Sequence, residues 1–128
     1  MKLLLDTHIL LWAVLSPTSL SRKAARIIVD ETNLVLVSAA SAWEIATKVR
    51  IGKLPGAEIL EKNFLDVMED AGYTLLPIDA PDALRAGRLT GEHRDPFDRM
   101  IAAQAIARDI PVLSNDTRLD VFELRRLW

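Results

Sequence analysis

Four acidic side chains stand apart from the others because they adjoin apolar stretches. Asp6 ends the apolar run KLLLD, and Asp116 follows the apolar pair Val112-Leu113. Glu44 lies within SAWEIA and Asp98 within PFDRMIAA. A carboxylate surrounded by apolar residues is costly to bury unless a partner compensates its charge. No basic residue stands beside all four acids, so a shared bound cation is the simplest partner.

Each of these acids also has an ordinary structural interpretation. Asp6 could cap the helix that follows it, and Ser41 with Glu44 matches a capping box. Asp98 occupies the third position after a helix start, where the helix dipole favours an acid. Asp116 is suited to a turn, the commonest use of an Asn-Asp pair. Taken singly, none of the four acids identifies a site.

The elements that must position the acids alternate between strands and helices. Short apolar runs typical of buried parallel strands occupy residues 2–6, 34–37, 73–76 and 112–113, with a weaker candidate at 123–127. Helical stripes lie between them, one spanning 20–28 and another spanning 60–68, with Gly72 placed to end the second. This alternation predicts an α/β fold with a parallel sheet of four to five strands covered on both faces.

The predicted topology brings the four acids together. In an open parallel sheet, the carboxyl ends of the strands and the amino ends of the following helices form one rim, where ligands bind. All four acids map to that rim. Asp98 also shares a helix face with Ile101, Ala102 and Ala105, which turns it inward, whereas Asp95 before Pro96 takes the N-cap position.

The residue types at the rim indicate which ion it would hold. Carboxylate oxygens are hard ligands, and the chain has no cysteine, so Mg²⁺ or Mn²⁺ is favoured over zinc. Mg²⁺ held by a few carboxylates keeps several waters and binds phosphate oxygens. The sequence therefore predicts phosphoryl or phosphodiester chemistry.

Length and composition limit the remaining possibilities. The 128 residues suffice for a single domain, 1–128, with its own core. The 16 basic and 18 acidic residues give a net charge of −2, so any contact with nucleic acid must be local. The absence of cysteine excludes disulfides, and no apolar run approaches the length of about 18 residues that a membrane span needs. We expect a soluble, cytoplasmic protein that does not bind membranes.

At these residues the chain resembles the PIN-domain ribonucleases, and most of all the VapC-type toxins of toxin–antitoxin operons. The resemblance covers nearly the whole chain. It rests on four fragments in order, each with one of the acids: LLLDTHILLW at 3–12, SAASAWEIATKVRIGKL at 38–54, RDPFDRMIAAQA at 94–105 and LSND at 113–116. Any one fragment is a weak signal, but four in this order are fairly specific.

The resemblance implies a three-layer α/β/α fold, homodimerisation, endonuclease action on RNA that depends on Mg²⁺ or Mn²⁺, and silencing by a cognate antitoxin protein. Carried over by position, the catalytic residues are Asp6, Glu44, Asp98 and Asp116. Asp6, Asp98 and Asp116 are the implied metal ligands. The hydroxyls of Thr7 and Ser114 are placed to orient the acids or a metal-bound water, or else to bond local backbone.

Two basic residues are the first candidates for phosphate contacts. Lys48 and Arg99 adjoin Glu44 and Asp98, so we expect them to bind RNA, although most surface cations are simply solvated. The two histidines, His8 and His93, are not required by this scheme.

Two alternatives remain open at the level of sequence. A Mg²⁺-dependent phosphotransfer or receiver-like domain also gathers acids at strand ends. It usually begins with paired acids, whereas Thr7 and His8 follow Asp6 here, and no late strand-end lysine is present. The second alternative is a non-catalytic RNA-binding module of the same fold, which the presence of all four acids disfavours.

Overall fold

A five-stranded, all-parallel sheet forms the centre of the computed structural model, which describes residues 1–128. The strand order is β3-β2-β1-β4-β5. The strands are β1 (Lys2–Leu5), β2 (Leu34–Ser38), β3 (Thr74–Leu76), β4 (Val112–Leu113) and β5 (Arg126–Leu127). The α/β class and the strand count predicted from the apolar runs are confirmed.

Seven helices connect the strands, with two short 3-10 turns at Pro17–Ser19 and Thr117–Val121. They are α1 (Thr7–Leu15), α2 (Arg22–Val29), α3 (Ala39–Arg50), α4 (Glu58–Lys62), α5 (Phe64–Ala71), α6 (Ala80–Arg88) and α7 (Pro96–Arg108). The stripe at 60–68 is divided between α4 and α5 because Asn63 leaves helical geometry at φ −113°. Gly72 ends α5 in the left-handed conformation, as predicted. None of the helices has the length and apolar character that crossing a membrane requires.

Both faces of the sheet are buried, because successive side chains of each strand point to opposite sides. On one face, Leu3 and Leu5 pack with apolar residues of α1 to α5. On the other face, Leu4 packs with Ile101 and Ala102 of α7. These three leucines of β1 are fully buried, and burying a leucine contributes roughly 1.5–3 kcal/mol. The carboxyl end of β1, where Asp6 lies, is therefore a rigid support.

A buried polar network fixes α7 to the sheet. The hydroxyl of Ser38 at the end of β2 donates to Gln104 Oε1 at 2.6 Å. Gln104 Nε2 in turn donates to Pro77 O at 3.1 Å and to Asp82 Oδ2 at 3.0 Å. Arg108 forms an ion pair with Asp82 at 2.9 Å. Satisfied networks of this kind specify one packing arrangement, so the register of α7 against the sheet is well defined.

Candidate functional site

A cavity of about 380 Å³ opens at the carboxyl ends of β1 and β4. All four acids predicted from the sequence line it, as does Thr7. Charged and imidazole side chains dominate its wall: Asp6, His8, Glu44, Lys48, Asp95, Asp98, Asp116 and Arg118. These acids therefore meet at the rim formed by the carboxyl ends of the parallel strands, as the parallel-sheet rule predicts.

Asp6 is held by a serine from the far end of the chain. Its backbone takes the N-cap position of α1, but its side chain caps nothing. Instead Ser114 donates its hydroxyl to Asp6 Oδ2 at 2.6 Å and accepts the backbone N–H of Asp116 at 3.0 Å. The capping interpretation of Asp6 is wrong, and Ser114 orients this acid.

Glu44 lies in the interior of α3 and does not form a capping box. The helix begins at Ala39 with Ser38 as its N-cap, so Ser41 already lies within it. Glu44 is 6% exposed, and its Oε2 accepts from Lys48. Its other oxygen, Oε1, is buried with no hydrogen-bond partner. An unpartnered buried anionic oxygen is rare and requires a physical explanation.

Thr7 contributes to the same part of the wall through a contact with α3. Its Oγ1 lies 2.8 Å from Ser41 Oγ, and both residues are buried. This bond ties the first turn of α1 to α3 one turn before Glu44. Thr7 therefore supports the position of Glu44 through the helix that carries it.

Asp95 and Asp98 have the two different roles predicted for them. Asp95 is the N-cap of α7 and accepts from the backbone N–H groups of Phe97 at 2.8 Å and Asp98 at 3.1 Å. The side chain of Asp98 does not cap the helix and is turned into the protein, leaving the residue 8% exposed. Its Oδ2 lies 2.9 Å from His93 Nε2.

Asp116 lies at the predicted rim and also caps a turn, as its alternative interpretation expected. Its side chain accepts from the backbone N–H of Arg118 at 3.0 Å, which caps the 3-10 turn Thr117–Val121. It also accepts from the Arg118 guanidinium, with Nη2 to Oδ2 at 2.8 Å. Arg118 and Lys48 each form an ion pair with one of the acids, whereas no lysine or arginine pairs with Asp6 or Asp98, in agreement with the expectation that no basic residue stands beside all four.

The surroundings of Asp98 make its ionised form unfavourable. Burial, followed by repulsion from Asp6, Asp95, Glu44 and Asp116, raises the pKa of Asp98 to about 8. Burial also raises the pKa of Asp6, against the opposing hydrogen bond from Ser114. The hydrogen bonds from Arg118 lower the pKa of Asp116. The cavity thus holds more carboxylates than its own cations neutralise, and a bound cation would relieve this repulsion.

The donor set of the cavity fits a hard divalent ion. His93, Asp98 and Asp116 offer ligand atoms that all lie within 4.8 Å of one another. Asp6 lies outside that tight group but lines the cavity with Asp98 and Asp116, whereas His93 is not among the lining residues. The carboxylate oxygens of Asp6, Asp98 and Asp116 are hard ligands that suit Mg²⁺ or Mn²⁺. His93 is the one member of this group that sequence reasoning set aside, although its place shortly before Asp95 was a visible signal.

Arg99, predicted to contact RNA, has a structural role. Its Nη1 donates to the carbonyl oxygen of His93 at 2.9 Å, and its Nη2 donates to that of Leu89. The guanidinium also lies over the ring of Phe122, 5.8 Å from its centroid. Arg99 does not line the acidic cavity and instead fixes the loop before α7, which removes the reason for assigning it to RNA.

Comparisons with known proteins agree with this architecture. The sequence profile of the PIN domain matches residues 3–123. Ribonuclease VapC16 of Mycobacterium tuberculosis (strain ATCC 25618 / H37Rv) is 45% identical over 53 residues, which is 41% of this chain and 38% of that protein. The match therefore spans well under half of the length of this curated relative.

Solved structures from three bacteria share the fold along nearly the whole chain. VapBC2 of Rickettsia felis bound to a promoter DNA fragment gives a TM-score of 0.73 at 18% identity, covering 99% of this chain and 98% of that one. FitAcB of Neisseria gonorrhoeae gives 0.65 at 18% identity, covering 98% and 96%. VapBC-5 of M. tuberculosis gives 0.63 at 19% identity, covering 98% of each.

Proposed function

This chain belongs to the PIN-domain family, and from that premise we propose that it is a metal-dependent endoribonuclease acting as the toxin of a toxin–antitoxin pair. The observation that carries the proposal is the convergence of Asp6, Glu44, Asp98 and Asp116 in one cavity. Two of these acids are incompletely compensated, since Glu44 Oε1 has no partner and the pKa of Asp98 is raised to about 8 by burial and neighbouring acids.

The surroundings of each acid indicate its role in the proposed reaction. Asp6, Asp98 and Asp116 would hold Mg²⁺ or Mn²⁺, with Ser114 keeping Asp6 in place. Bound there, such an ion supplies a polarised water as nucleophile and positive charge for the leaving oxygen of the phosphodiester. Because Lys48 engages Glu44 Oε2, the free Oε1 is the atom that would take up the proton of the attacking water.

A cleavage assay tests the proposal directly. Purified protein should cut labelled RNA in the presence of Mg²⁺ or Mn²⁺ and stop when a chelator is added. By resemblance to the family, we expect products with a 5′-phosphate and a 3′-hydroxyl. A folded protein that binds RNA with either ion but never cuts it would support the non-catalytic module instead.

Strand order argues against the receiver-like alternative. Receiver-type domains have the order 2-1-3-4-5, with the ligand at the switch point between the first and third strands. Here the first strand is flanked by the second and the fourth, in the order 3-2-1-4-5. The acids therefore meet between β1 and β4, which is a different construction of the strand-end cavity.

The cognate antitoxin and the homodimer are also proposals. Support for an antitoxin comes from the solved neighbours, two of which are VapBC proteins from R. felis and M. tuberculosis. Copurification of the chain with the product of a short adjacent reading frame, and loss of RNA cleavage in that complex, would test the antitoxin. Light scattering on the free chain would test the dimer.

Local cations must attract RNA because the net charge is −2. Lys48 and Arg118 line the cavity, with side chains 35% and 73% exposed. We propose that both contact phosphates beside the scissile bond. Arg118 is tested first because its side chain is the more exposed of the two; each cation also pairs with one of the acids, Lys48 with Glu44 and Arg118 with Asp116.

Arg118→Gln is expected to lower kcat/KM for RNA at low salt and to weaken its salt dependence. Each phosphate contact on a single strand contributes about 0.7 to the slope of log affinity against log salt, so the slope should fall by about that amount. Cleavage rates at subsaturating RNA across a range of KCl concentrations measure this slope. Lys53→Gln is the matched control, since Lys53 is exposed but does not line the cavity. Equal slopes for Arg118→Gln and wild type would contradict the assignment.

A further inference from the structure

His93 is a buried imidazole that the proposed chemistry leaves unused. Its side chain is 5% exposed, and its Nε2 lies 2.9 Å from Asp98 Oδ2. That contact is close but not aligned as a hydrogen bond, and Nε2 has no other partner. A buried polar atom without a partner, aimed at a buried acid, requires an explanation.

The contact of the other ring nitrogen assigns the tautomer. The backbone N–H of Asp95 donates to His93 Nδ1 at 3.4 Å, which assigns the lone pair to Nδ1. A neutral imidazole then carries its single proton on Nε2. Nε2 therefore faces Asp98 as a donor and has no lone pair to offer an ion. His93 lies among possible metal ligands, but this hydrogen bond makes it a partner of a ligand.

The ring is held in place before any ligand arrives. It stacks on Phe122 at a centroid distance of 6.1 Å and an interplanar angle of 12°. Arg99 donates to the carbonyl oxygen of His93 at 2.9 Å. Gly91 in the same loop has φ +123°, a conformation that residues with a side chain rarely adopt, and a Cβ there would lie 3.3 Å from Val121 Cγ2. Few alternative positions of the imidazole are open.

We propose that His93 is a positioning residue that holds Asp98 through its Oδ2 oxygen, leaving the other carboxylate oxygen free to bind the divalent ion. The inference rests on the proposed function, because it assumes that Asp98 is a metal ligand. The 2.9 Å separation between His93 Nε2 and Asp98 Oδ2 is within hydrogen-bond distance, so the proposal requires only that the two groups align. Partners that orient ligands in this way typically account for a 10–100-fold range of metal affinity or activity, so we expect about that effect.

Mn²⁺ affinity of the full chain, measured by calorimetry, separates positioning from simple packing. His93→Phe keeps a ring against Phe122 but lacks the N–H donor, and should weaken Mn²⁺ binding by about 10–100-fold. His93→Gln restores an amide donor near the position of Nε2 and should recover most of that loss. Tyr73→Phe is the matched control, because it also removes a polar group from a partly buried ring, one that does not line the cavity. It should bind Mn²⁺ like wild type.

Two spectroscopic measurements on wild type keep the inference testable if a variant does not fold. Nitrogen NMR of the imidazole should show the Nε2–H tautomer for His93. Electron spin echo modulation of bound Mn²⁺ should show no directly coordinated imidazole nitrogen. The Nδ1–H tautomer, a bound nitrogen signal, or wild-type affinity in His93→Phe would each overturn the inference while leaving the proposed nuclease intact. Absence of Mn²⁺ binding and of RNA cleavage in wild type would instead overturn the proposed function.

Discussion

Asp98→Asn is expected to abolish RNA cleavage and, in a chelator, to make the protein more stable than wild type. Burial and neighbouring acids raise the pKa of Asp98 to about 8. Folding therefore places an acid where its charged form is unfavourable. Asparagine has nearly the same shape without the charge, so it removes that unfavourable contribution while also removing the ligand oxygen.

The direction in which stability changes with pH follows from the protonation of Asp98 in the folded and unfolded states. Between an ordinary aspartate pKa of about 4 and the folded value, the folded protein retains a proton that the unfolded chain has released. The unfolding free energy of the metal-free wild type should therefore fall as the pH rises from about 4 to about 8. This contribution should be absent in Asp98→Asn, so the advantage of the variant grows with pH over that window.

Urea denaturation in a chelator at pH 5 and pH 7 measures the effect. We expect the unfolding free energy of Asp98→Asn at pH 7 to exceed that of wild type by about 2 kcal/mol. Each pH unit above the ordinary pKa adds up to about 1.4 kcal/mol to this difference, and the residual solvent contact of Asp98 reduces the total. Asp66→Asn is the matched control, since Asp66 is exposed and its substitution should change stability by less than about 0.5 kcal/mol. A loss of stability in Asp98→Asn at pH 7 would show that its carboxylate is already satisfied.

Added Mg²⁺ should reverse the order of the two proteins. An ion that binds only the folded state stabilises it by about 2.7 kcal/mol when present at one hundred times its dissociation constant. Wild type should gain this stabilisation and Asp98→Asn should lose most of it. The same carboxylate would thus be unfavourable in the metal-free protein and favourable in the metal-bound one, which is the pattern expected of a functional site rather than a structural ion pair.

The rim of acids was predictable from sequence because it depends on rules that act at long range. Apolar runs define the strands, and parallel pairing puts Asp6 and Asp116 at the same end of neighbouring strands. The position of Asp98 followed from helix periodicity once Asp95 was taken as the N-cap. These inferences need the order and type of the elements, but not the conformation of any loop.

What the sequence did not reveal depends on side-chain conformations and loop paths. Arg118 reaches Asp116 because the chain turns immediately after β4, and residue types alone do not fix that turn. His93 meets Asp98 in a loop whose imidazole stacks on Phe122, which is distant in sequence, and in which Gly91 takes a φ of +123°. The pair of Lys48 with Glu44 was recognisable as a helical ion pair, but not its effect of leaving one glutamate oxygen free.

Asp6→Asn is expected to lower kcat/KM for RNA by at least about a thousandfold, while the fold is retained. Loss of one group that stabilises charge in a transition state already costs about 10²–10³, and Asp6 would also contribute to holding the ion. Structure should persist because the leucines of β1 before it are fully buried and its side chain caps no helix. Single-turnover cleavage of labelled RNA measures the rate, and circular dichroism verifies the fold.

Ser114→Ala is expected to reduce activity less than Asp6→Asn does. The serine keeps the carboxylate of Asp6 in place at 2.6 Å but contributes no charge, so its removal should reduce activity by about 10–100-fold. Raised Mn²⁺ should partly rescue Ser114→Ala, because the ligand is still present but poorly held. It should not rescue Asp6→Asn, where an anionic ligand oxygen is lost. Equal losses of activity in the two variants, or full rescue of Asp6→Asn by Mn²⁺, would mean that Asp6 does not hold the ion. The metal-binding and proton-accepting roles would then have to be assigned among Glu44, Asp98 and Asp116.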